Sequence, residues 1–438
     1  MNELFLNKTK SFPLSTTKQI VYIAILVLIC FTALYFKSIF IAAAFLSLFT
    51  LIIILAYPEI ALLILIWFVF SDIGTHIGSG LYIILLLFTF YMLLVSGFIN
   101  HRYIVYTKVD LYCLLFFIIS TVSIVFCKSY KLGFEALAEL IKVYSLFFII
   151  RNFRFNLGYY KAIFIIILMA ALINALYGIY QFYNNPFIIQ RVVGFKSDPN
   201  NLAILLVTGI PFVFPLFKEF KSKIIKIILI IIFSILFLGV AFSYSRGGMI
   251  ALGVVLLFFL LNHRQHKWVI LLFVLLCSIG IYIFIVKLAA YKSLIRLISA
   301  DESFIQRLRV YKGGIKMFLA HPIIGVGFGN YIVWSRVYSN LTFHLYAHNI
   351  FLHIGAETGI FGLAIYGGII VQSIRSVLRT KKRALKMKDM RTVSYCNALL
   401  WSLIGFLSAG MFLSQHLNKM LWCIMGLCIS MENRSDAE

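Results

Sequence analysis

The chain has 438 residues, 62% hydrophobic and only 12% charged. That excludes an ordinary soluble domain, and the lack of polar–apolar alternation excludes a transmembrane β-barrel. The formal net charge of +24 does not call for nucleic acid, because an excess of Lys and Arg is what the cytoplasmic loops of an apolar, multi-spanning chain carry.

The N-terminal tail is polar and basic. Ile20–Tyr35 has no small-residue cleavage site before the next span, so no cleavable signal peptide is expected. Apolar runs approaching the ~20 residues that cross a bilayer lie at 20–35, 39–56, 59–71, 81–99, 109–127, 133–150, 162–183, 201–217, 225–242, 247–261, 268–286, 349–371, 394–412 and 418–430. The third and the last are short. The expectation is therefore an all-α, polytopic membrane protein with 12–14 transmembrane helices. It forms a single integral membrane domain over 1–438, with one long loop at 287–347 containing short helices.

Orientation follows from Lys and Arg in short loops. The segment 372–393 carries Arg375, Arg379, Lys381, Lys382, Arg383, Lys386, Lys388 and Arg391. It should be cytoplasmic. Counting back, the same side receives 262–267, 218–224, 151–161, 100–108 and the N-terminal tail, all basic. Both termini are then cytoplasmic. The opposite face receives Arg191–Asn201, the cluster Ser245-Arg246-Gly247-Gly248, the loop 287–347 and Ala347-His348-Asn349. The loop holds Lys292, Arg296, Arg307, Arg309, Lys312, Lys316 and Arg336 against Asp301 and Glu302. A basic loop on that side suits an anionic ligand.

Three helices begin on this face, near Asn201, Gly247 and Asn349. Free N–H groups and a partial positive charge at such ends favour phosphate. Ser245 is a candidate N-cap, Arg246 suits bidentate phosphate binding, and Gly247 with Gly248 would let a ligand approach the backbone. The same four residues also read as a snorkelling arginine beside a packing glycine pair. Arg307 and Arg309 fall on an amphipathic helix over Ser303–Leu319. His321-Pro322 ends it, and Gly325-Val326-Gly327-Phe328-Gly329-Asn330 follows. With no preceding strand and no Walker lysine, those glycines read as a tight re-entrant turn rather than a nucleotide loop.

His344, His348 and His353 lie close together in sequence. They are weak metal candidates, with no carboxylate pair nearby. A neutral imidazole at the boundary is a natural general base, and His348 is better placed for that than His353, about a turn deeper. Glu357 lies nine residues on, roughly 13 Å deeper at ~1.5 Å per residue, as a packing partner or a supporting group. The seven cysteines lie in or beside apolar runs, against a disulfide framework or a Cys zinc site.

Together these stretches resemble the O-antigen ligase and polymerase family of bacterial inner-membrane glycosyltransferases. The carriers are Gly194–Asn201, Ser245-Arg246-Gly247-Gly248, Arg307, His321-Pro322 through Tyr331, and Ala347-His348-Asn349 through Glu357-Thr358-Gly359 to Gly362. The likeness covers about 190–370 and implies a GT-C-like membrane fold in the inner membrane. It also implies a periplasmic site, and a glycan donor on undecaprenyl diphosphate. The acceptor would be lipid A–core or another glycan, with no cofactor and no metal. Arg246 and Arg307 would hold the diphosphate with Ser245 and Gly247, and His348 would deprotonate the acceptor hydroxyl, with inversion at the anomeric carbon. Arg191, Asn200, Arg309, Asn349 and Glu357 are accessory candidates. Ligation to lipid A–core is the leading expectation. A polymerase extending lipid-linked glycan is the alternative, and a transporter or flippase for lipid-linked sugars the alternative of another class. Against the last, ionisable residues in mid-span are few: Glu135, Glu139, Lys142 and Glu357.

Overall fold

The computed structural model describes residues 58–72, 86, 87, 89, 106–153, 155–184, 191–196, 198–262, 293–341 and 344–435. The expected spans 20–35, 39–56 and 268–286, and most of 81–99, lie outside the described residues. The chain divides into two compact units, Met1–Ala61 and Leu62–Glu438. Of the first, only residues 58–61 are described, and the second holds everything that follows.

Among the described residues there is no strand. The helices are α1 (Pro58–Ser71), α2 (Lys108–Ser123, extended by a 3-10 turn to Phe126), α3 (Tyr130–Asn152), α4 (Leu157–Asn184), α5 (Pro199–Gly209), α6 (Val213–Glu219), α7 (Lys223–Phe242), α8 (Arg246–Asn262), α9 (Ser293–Ala320), α10 (Tyr331–Ser339), α11 (Ile350–Lys386), α12 (Met390–Gly410) and α13 (Lys419–Ser435). Among the described residues, six stretches are long and apolar enough to cross a membrane: Lys108–Phe126, Leu157–Asn184, Pro199–Glu219, Lys223–Phe242, Ile350–Lys386 and Met390–Gly410. This is the polytopic all-α architecture expected.

Burial sorts the helices. α13 is apolar on every side from Met420 to Met431 and buried on every side, as is α5 from Leu202 to Gly209. A helix with no polar face must be enclosed by others or by lipid. By contrast α7 leaves Ile224, Ile227, Ile228 and Ile231 exposed along one helical stripe. Such a stripe is stable only against hydrocarbon.

α11 is the longest helix, 37 residues, or about 55 Å at 1.5 Å per residue. That exceeds the ~30 Å hydrocarbon core, so most of the basic segment expected as a loop from 372 is a helical extension. Arg379 reaches Glu432 through two nitrogens, at 2.5 and 2.8 Å. At the same end Glu219 gathers Lys161 (3.1 Å), Arg391 (2.6 Å) and the Tyr395 hydroxyl, tying α4, α6 and α12.

α11 is also broken. Gly359 has φ 68° and ψ −166°, a conformation essentially reserved for glycine. A break frees backbone groups that lipid cannot satisfy. Here the His321–Asn330 segment satisfies them: Val326 N–H donates to Ala356 O (2.9 Å), Gly327 N–H to Glu357 O (3.1 Å), and Ile360 N–H to Pro322 O (2.8 Å). The glycine-rich segment is thus a turn docked on a broken helix. Its far end is pinned to the α2–α3 turn, where Asn330 Oδ1 accepts from Ser129 N–H (2.8 Å) and Asn330 Nδ2 donates to Ser129 O (3.0 Å).

A Cβ on Gly359 would sit 2.2 Å from Ile323 O. Gly359→Ala should therefore cost about 3 kcal/mol or more. Gly253, with nothing within 4 Å of its would-be Cβ, should change by no more than about 1 kcal/mol as Gly253→Ala, and in the stabilising direction. Thermal unfolding of both variants in detergent checks this; equal melting temperatures would remove the broken-helix argument.

Candidate functional site

Three helix N-termini, two loops and one face of α9 meet at the end of the bundle away from Glu219. The α5 start is built by Asp198, whose carboxylate Oδ1 accepts from Asn200 N–H (2.7 Å) and Asn201 N–H (3.2 Å), with Pro199 in the first turn. This is a strong N-cap. The α8 start follows a tight turn in which Tyr244 takes φ 49°. Ser245 then caps the helix, its Oγ accepting from Gly248 N–H (3.2 Å). The α11 start is capped by Asn349, whose Oδ1 accepts from Phe351 N–H (2.9 Å) and Leu352 N–H (3.0 Å).

One polar network joins the first two starts. Asn200 Oδ1 accepts both from the Ser245 hydroxyl (2.9 Å) and from Arg191 (3.0 Å). Arg191 Nε also donates to Ser243 O, the carbonyl just after α7 (2.9 Å). Arg191 is therefore held rigidly, and burial lowers its basicity. Arg307 lies near enough for its charge to bear on both Arg191 and His348. Arg307 and Tyr311 are four residues apart, on one face of α9.

His348 sits on the residue before the cap, in the left-handed conformation at φ 49°. Such a backbone costs of order 1–3 kcal/mol and persists only when its surroundings fix it. Here they do. The His348 N–H donates to Ser414 Oγ (3.0 Å), and the His348 carbonyl accepts from the Tyr311 hydroxyl (3.1 Å). The backbone is clamped while the imidazole makes no hydrogen bond among the described residues. Burial, and then the Arg307 charge, push it down to about 4. It is neutral at ordinary pH and able to accept a proton.

The expected residues fall into groups. Arg191, Asn200 and Ser245 are hydrogen-bonded together. Arg307 and His348 lie beside them, and Asn349 caps the adjoining helix. Arg246, at the start of α8, and Arg309, away from the Arg307 face of α9, are exposed. Gly247 and Gly248 face protein: added Cβ atoms would lie 2.8 Å from Phe412 Cβ and 2.5 Å from Ala203 Cβ. The room expected beside them for a ligand is filled by packing. Glu357 is buried below the site, its Oε1 accepting from Tyr331 N–H (2.8 Å) and contacting His353 Nε2 (3.1 Å).

Of the three histidines weighed as metal ligands, the structure separates His344, exposed with Nδ1 on Ile332 O (2.8 Å). The trio that does gather is His353, Glu357 and His416, with one ligand atom each within 4.8 Å. The His353 and His416 rings also pack together, with centroids 4.3 Å apart and planes tilted by 59°. Burial pushes His416 down to about 3. This cluster lies on the buried side of α11 and is knit to α10 through Tyr331.

The α12–α13 loop contributes what sequence reasoning missed. Met411 O accepts from Asn349 Nδ2 (3.2 Å) and from the Tyr311 hydroxyl (3.3 Å). Ser414 holds His348, and Gln415 Nε2 donates to Asn201 Oδ1 (2.8 Å). No motif marks these residues; only their place between two apolar runs hints at them.

If Gly247 exists to seat Phe412, then Gly247→Ala should destabilise the protein and Phe412→Ala should relieve part of that loss. A double-mutant cycle by thermal unfolding should give a coupling of about 1–2 kcal/mol. A coupling near zero would mean that the glycine is open for another reason.

Residues 229–367 match the model of a protein family described as O-antigen ligase. That segment contains Ser245, Arg246, Gly247, Arg307, His348, Asn349 and Glu357, and leaves out Arg191, Asn200 and the α12–α13 loop. A comparison with curated proteins finds no match. The docked turn, the capped helix starts and the part-buried imidazole therefore sit in and around a segment of known kind: over residues 229–367 this chain is similar to the O-antigen ligase family.

Proposed function

We propose that this protein is a glycosyltransferase of the bacterial inner membrane. It moves a glycan from undecaprenyl diphosphate to an acceptor hydroxyl on the periplasmic side, with lipid A–core as the acceptor. The observation that carries the reading is the juxtaposition of a neutral imidazole on a clamped backbone with part-buried arginines at converging helix N-termini, in and around a segment similar to the O-antigen ligase family.

The chemistry divides between the two halves of the site. The lipid diphosphate is the leaving group, and charge grows on its oxygens as the glycosidic bond breaks. Arg307 and Arg191 with the α5 and α8 N-termini stabilise that charge, and fixed donors in a site sheltered from water are the most effective way to do so. Arg246, exposed at the mouth, holds the outer phosphate as the lipid enters. Ser245 orients Asn200, which orients Arg191. Gly247 keeps the α8 start close to the α12–α13 loop. On the other side His348 takes the acceptor proton, so the oxygen attacks the anomeric carbon opposite the departing diphosphate and inverts it. Asn349 holds the helix end beneath it, Arg309 adds to the positive field, and Glu357 fixes the packing below. No metal is required, because guanidinium and helix ends supply the positive charge.

The first test is in vitro transfer with purified protein, undecaprenyl-diphosphate glycan and lipid A–core, with EDTA present and His348→Ala as control. Glycan on lipid A–core with wild type alone is expected. Longer glycan on the lipid carrier instead would make the protein a polymerase, and no product on either acceptor would overturn the reading.

Arg307→Ala should lower kcat/KM by about 100-fold or more, in line with the loss of one preorganised charge donor. Arg309→Ala, on the exposed side of α9, should lower it less than about 5-fold. Equal effects would remove Arg307 from the site.

The pH dependence follows from the depressed His348. As a base it works when neutral, so kcat/KM should stay level as pH falls past ~6.5, where an ordinary histidine would protonate. It should drop only as pH approaches about 4. The bound diphosphate offsets the Arg307 charge and raises the imidazole, so the kcat profile should break at higher pH than the kcat/KM profile. A kcat/KM profile breaking near 6.5 would count against His348 as the base.

A further inference from the structure

A second polar feature lies on α10, outside the network of Arg191, Ser245 and His348. Lys128, Val333, Arg336, Val337, Asn340, Leu341 and His344 line a cleft of about 600 Å³. Residues 333, 336, 337 and 340 are the spacing that puts four side chains on one helical face. Asn340 ends α10 in the left-handed conformation at φ 51°, and the returning chain supplies Leu341 and His344.

Lys128 and His344 are held in place. The Lys128 ammonium lies 5.3 Å over the Trp334 ring, and the adjoining Ser129 backbone is gripped on both sides by Asn330. His344 Nδ1 meets Ile332 O at 2.8 Å. A carbonyl only accepts, so Nδ1 carries the proton and Nε2 faces outward, able to accept from a hydroxyl. Leu345 N–H donates to Ser335 Oγ (3.1 Å) and keeps the returning chain against the helix.

The charge is uncompensated. From Ser303 to Ala356 there is no Asp or Glu, while Arg307, Arg309, Lys312, Lys316 and Arg336 all fall within that stretch. No acidic side chain lines the cleft. His344 also precedes His348 by four residues, so the two lie within about 14 Å by the reach of an extended chain. A ligand of a few sugar units in the cleft can present a hydroxyl to His348.

We propose that this cleft is the acceptor's anion subsite. It binds an oxyanion, phosphate or uronate carboxylate, carried by the acceptor glycan: Lys128 and Arg336 pair with the anion, and His344 with a hydroxyl. The aliphatic floor of Val333, Val337 and Leu341 packs under the sugar ring. This rests on the glycosyltransferase reading for its meaning, though binding can be measured without turnover.

The test uses the full-length protein in detergent and four soluble probes: core oligosaccharide, its enzymatically dephosphorylated form, a uronate-bearing oligosaccharide, and its carboxyl-reduced form. Wild type should bind at least one anionic form about 10-fold or more tighter than its neutral partner, and whichever pair discriminates identifies the anion. Lys128→Gln with Arg336→Gln should erase that difference, while Arg336→Lys, which keeps the charge, should retain most of it and guards against misfolding. The proposal is overturned if wild type fails to discriminate or the double variant still does. It is also overturned if the double variant alters retention of anionic phospholipid in nanodiscs while saccharide binding is unchanged. In parallel transfer assays the double variant should raise the acceptor KM about 10-fold with kcat within about 2-fold. A wild type that binds with discrimination but transfers nothing would sink the transferase reading and leave the cleft standing.

Discussion

The rest of the structure depends on the break in α11 at Gly359. A backbone carbonyl or amide at membrane depth has to be paired inside the protein, since lipid offers nothing. Breaking α11 frees such groups on both sides of Gly359, and the 322–327 segment is the only described backbone that takes them. That obligation fixes where α9 must end and α10 begin. α9 then lies along the first half of α11, which lets the Tyr311 hydroxyl grip the His348 carbonyl. The His348 end of the helix is thus set from below by pairing requirements that have nothing to do with a substrate.

The same arrangement accounts for the electrostatics. Arg191, Arg307 and His348 share a region where like charges repel and burial penalises charge. The imidazole yields, because among these groups it has by far the lowest intrinsic basicity. Arginine stays charged under the same pressure. A site built this way stores positive charge on groups that cannot release it and keeps the imidazole neutral. On the proposed reading, an incoming diphosphate would relieve the repulsion among the cations, so donor binding and readiness of the base would be coupled through one field.

Much of this was legible in the sequence, and the rest was hidden for definite reasons. Apolar run length gave the described helices outside the 287–347 loop, and Ser245 and Asn349 were readable as helix starts because capping needs a short polar side chain at a boundary. The glycines of 325–329 were readable as a turn. The length of α11 was not, because Lys and Arg past residue 372 look like a loop to a hydropathy argument while being good helix formers. Nor was the α12–α13 loop, since the site contacts of Ser414 and Gln415 are to His348 and Asn201, each more than 60 residues away. Gly247 misled for another reason: a glycine beside an arginine reads equally as room for a ligand or as room for a neighbouring side chain, and only the packing of Phe412 distinguishes them.

On the orientation expected from the Lys and Arg distribution, the remaining question is why a chain with basic cytoplasmic loops should also have a basic loop on the other side. Translocation tolerates this in a long segment, but tolerance is not a cause. The described basic residues of the loop separate in space: Arg307 lies near the part-buried His348 imidazole, while Arg336 lines the open cleft of α10. A transferase that joins two substrates needs two anchoring points, one for the leaving group and one for the acceptor, with the proton acceptor between them. His348 follows His344 by four residues, and the Arg307 charge bears on its imidazole. A single clamp would hold the donor and leave the acceptor to diffusion. On the proposed reading, two clamps within reach of one base would turn the meeting of the two molecules into a positioned encounter, which is where a direct transfer would find most of its rate.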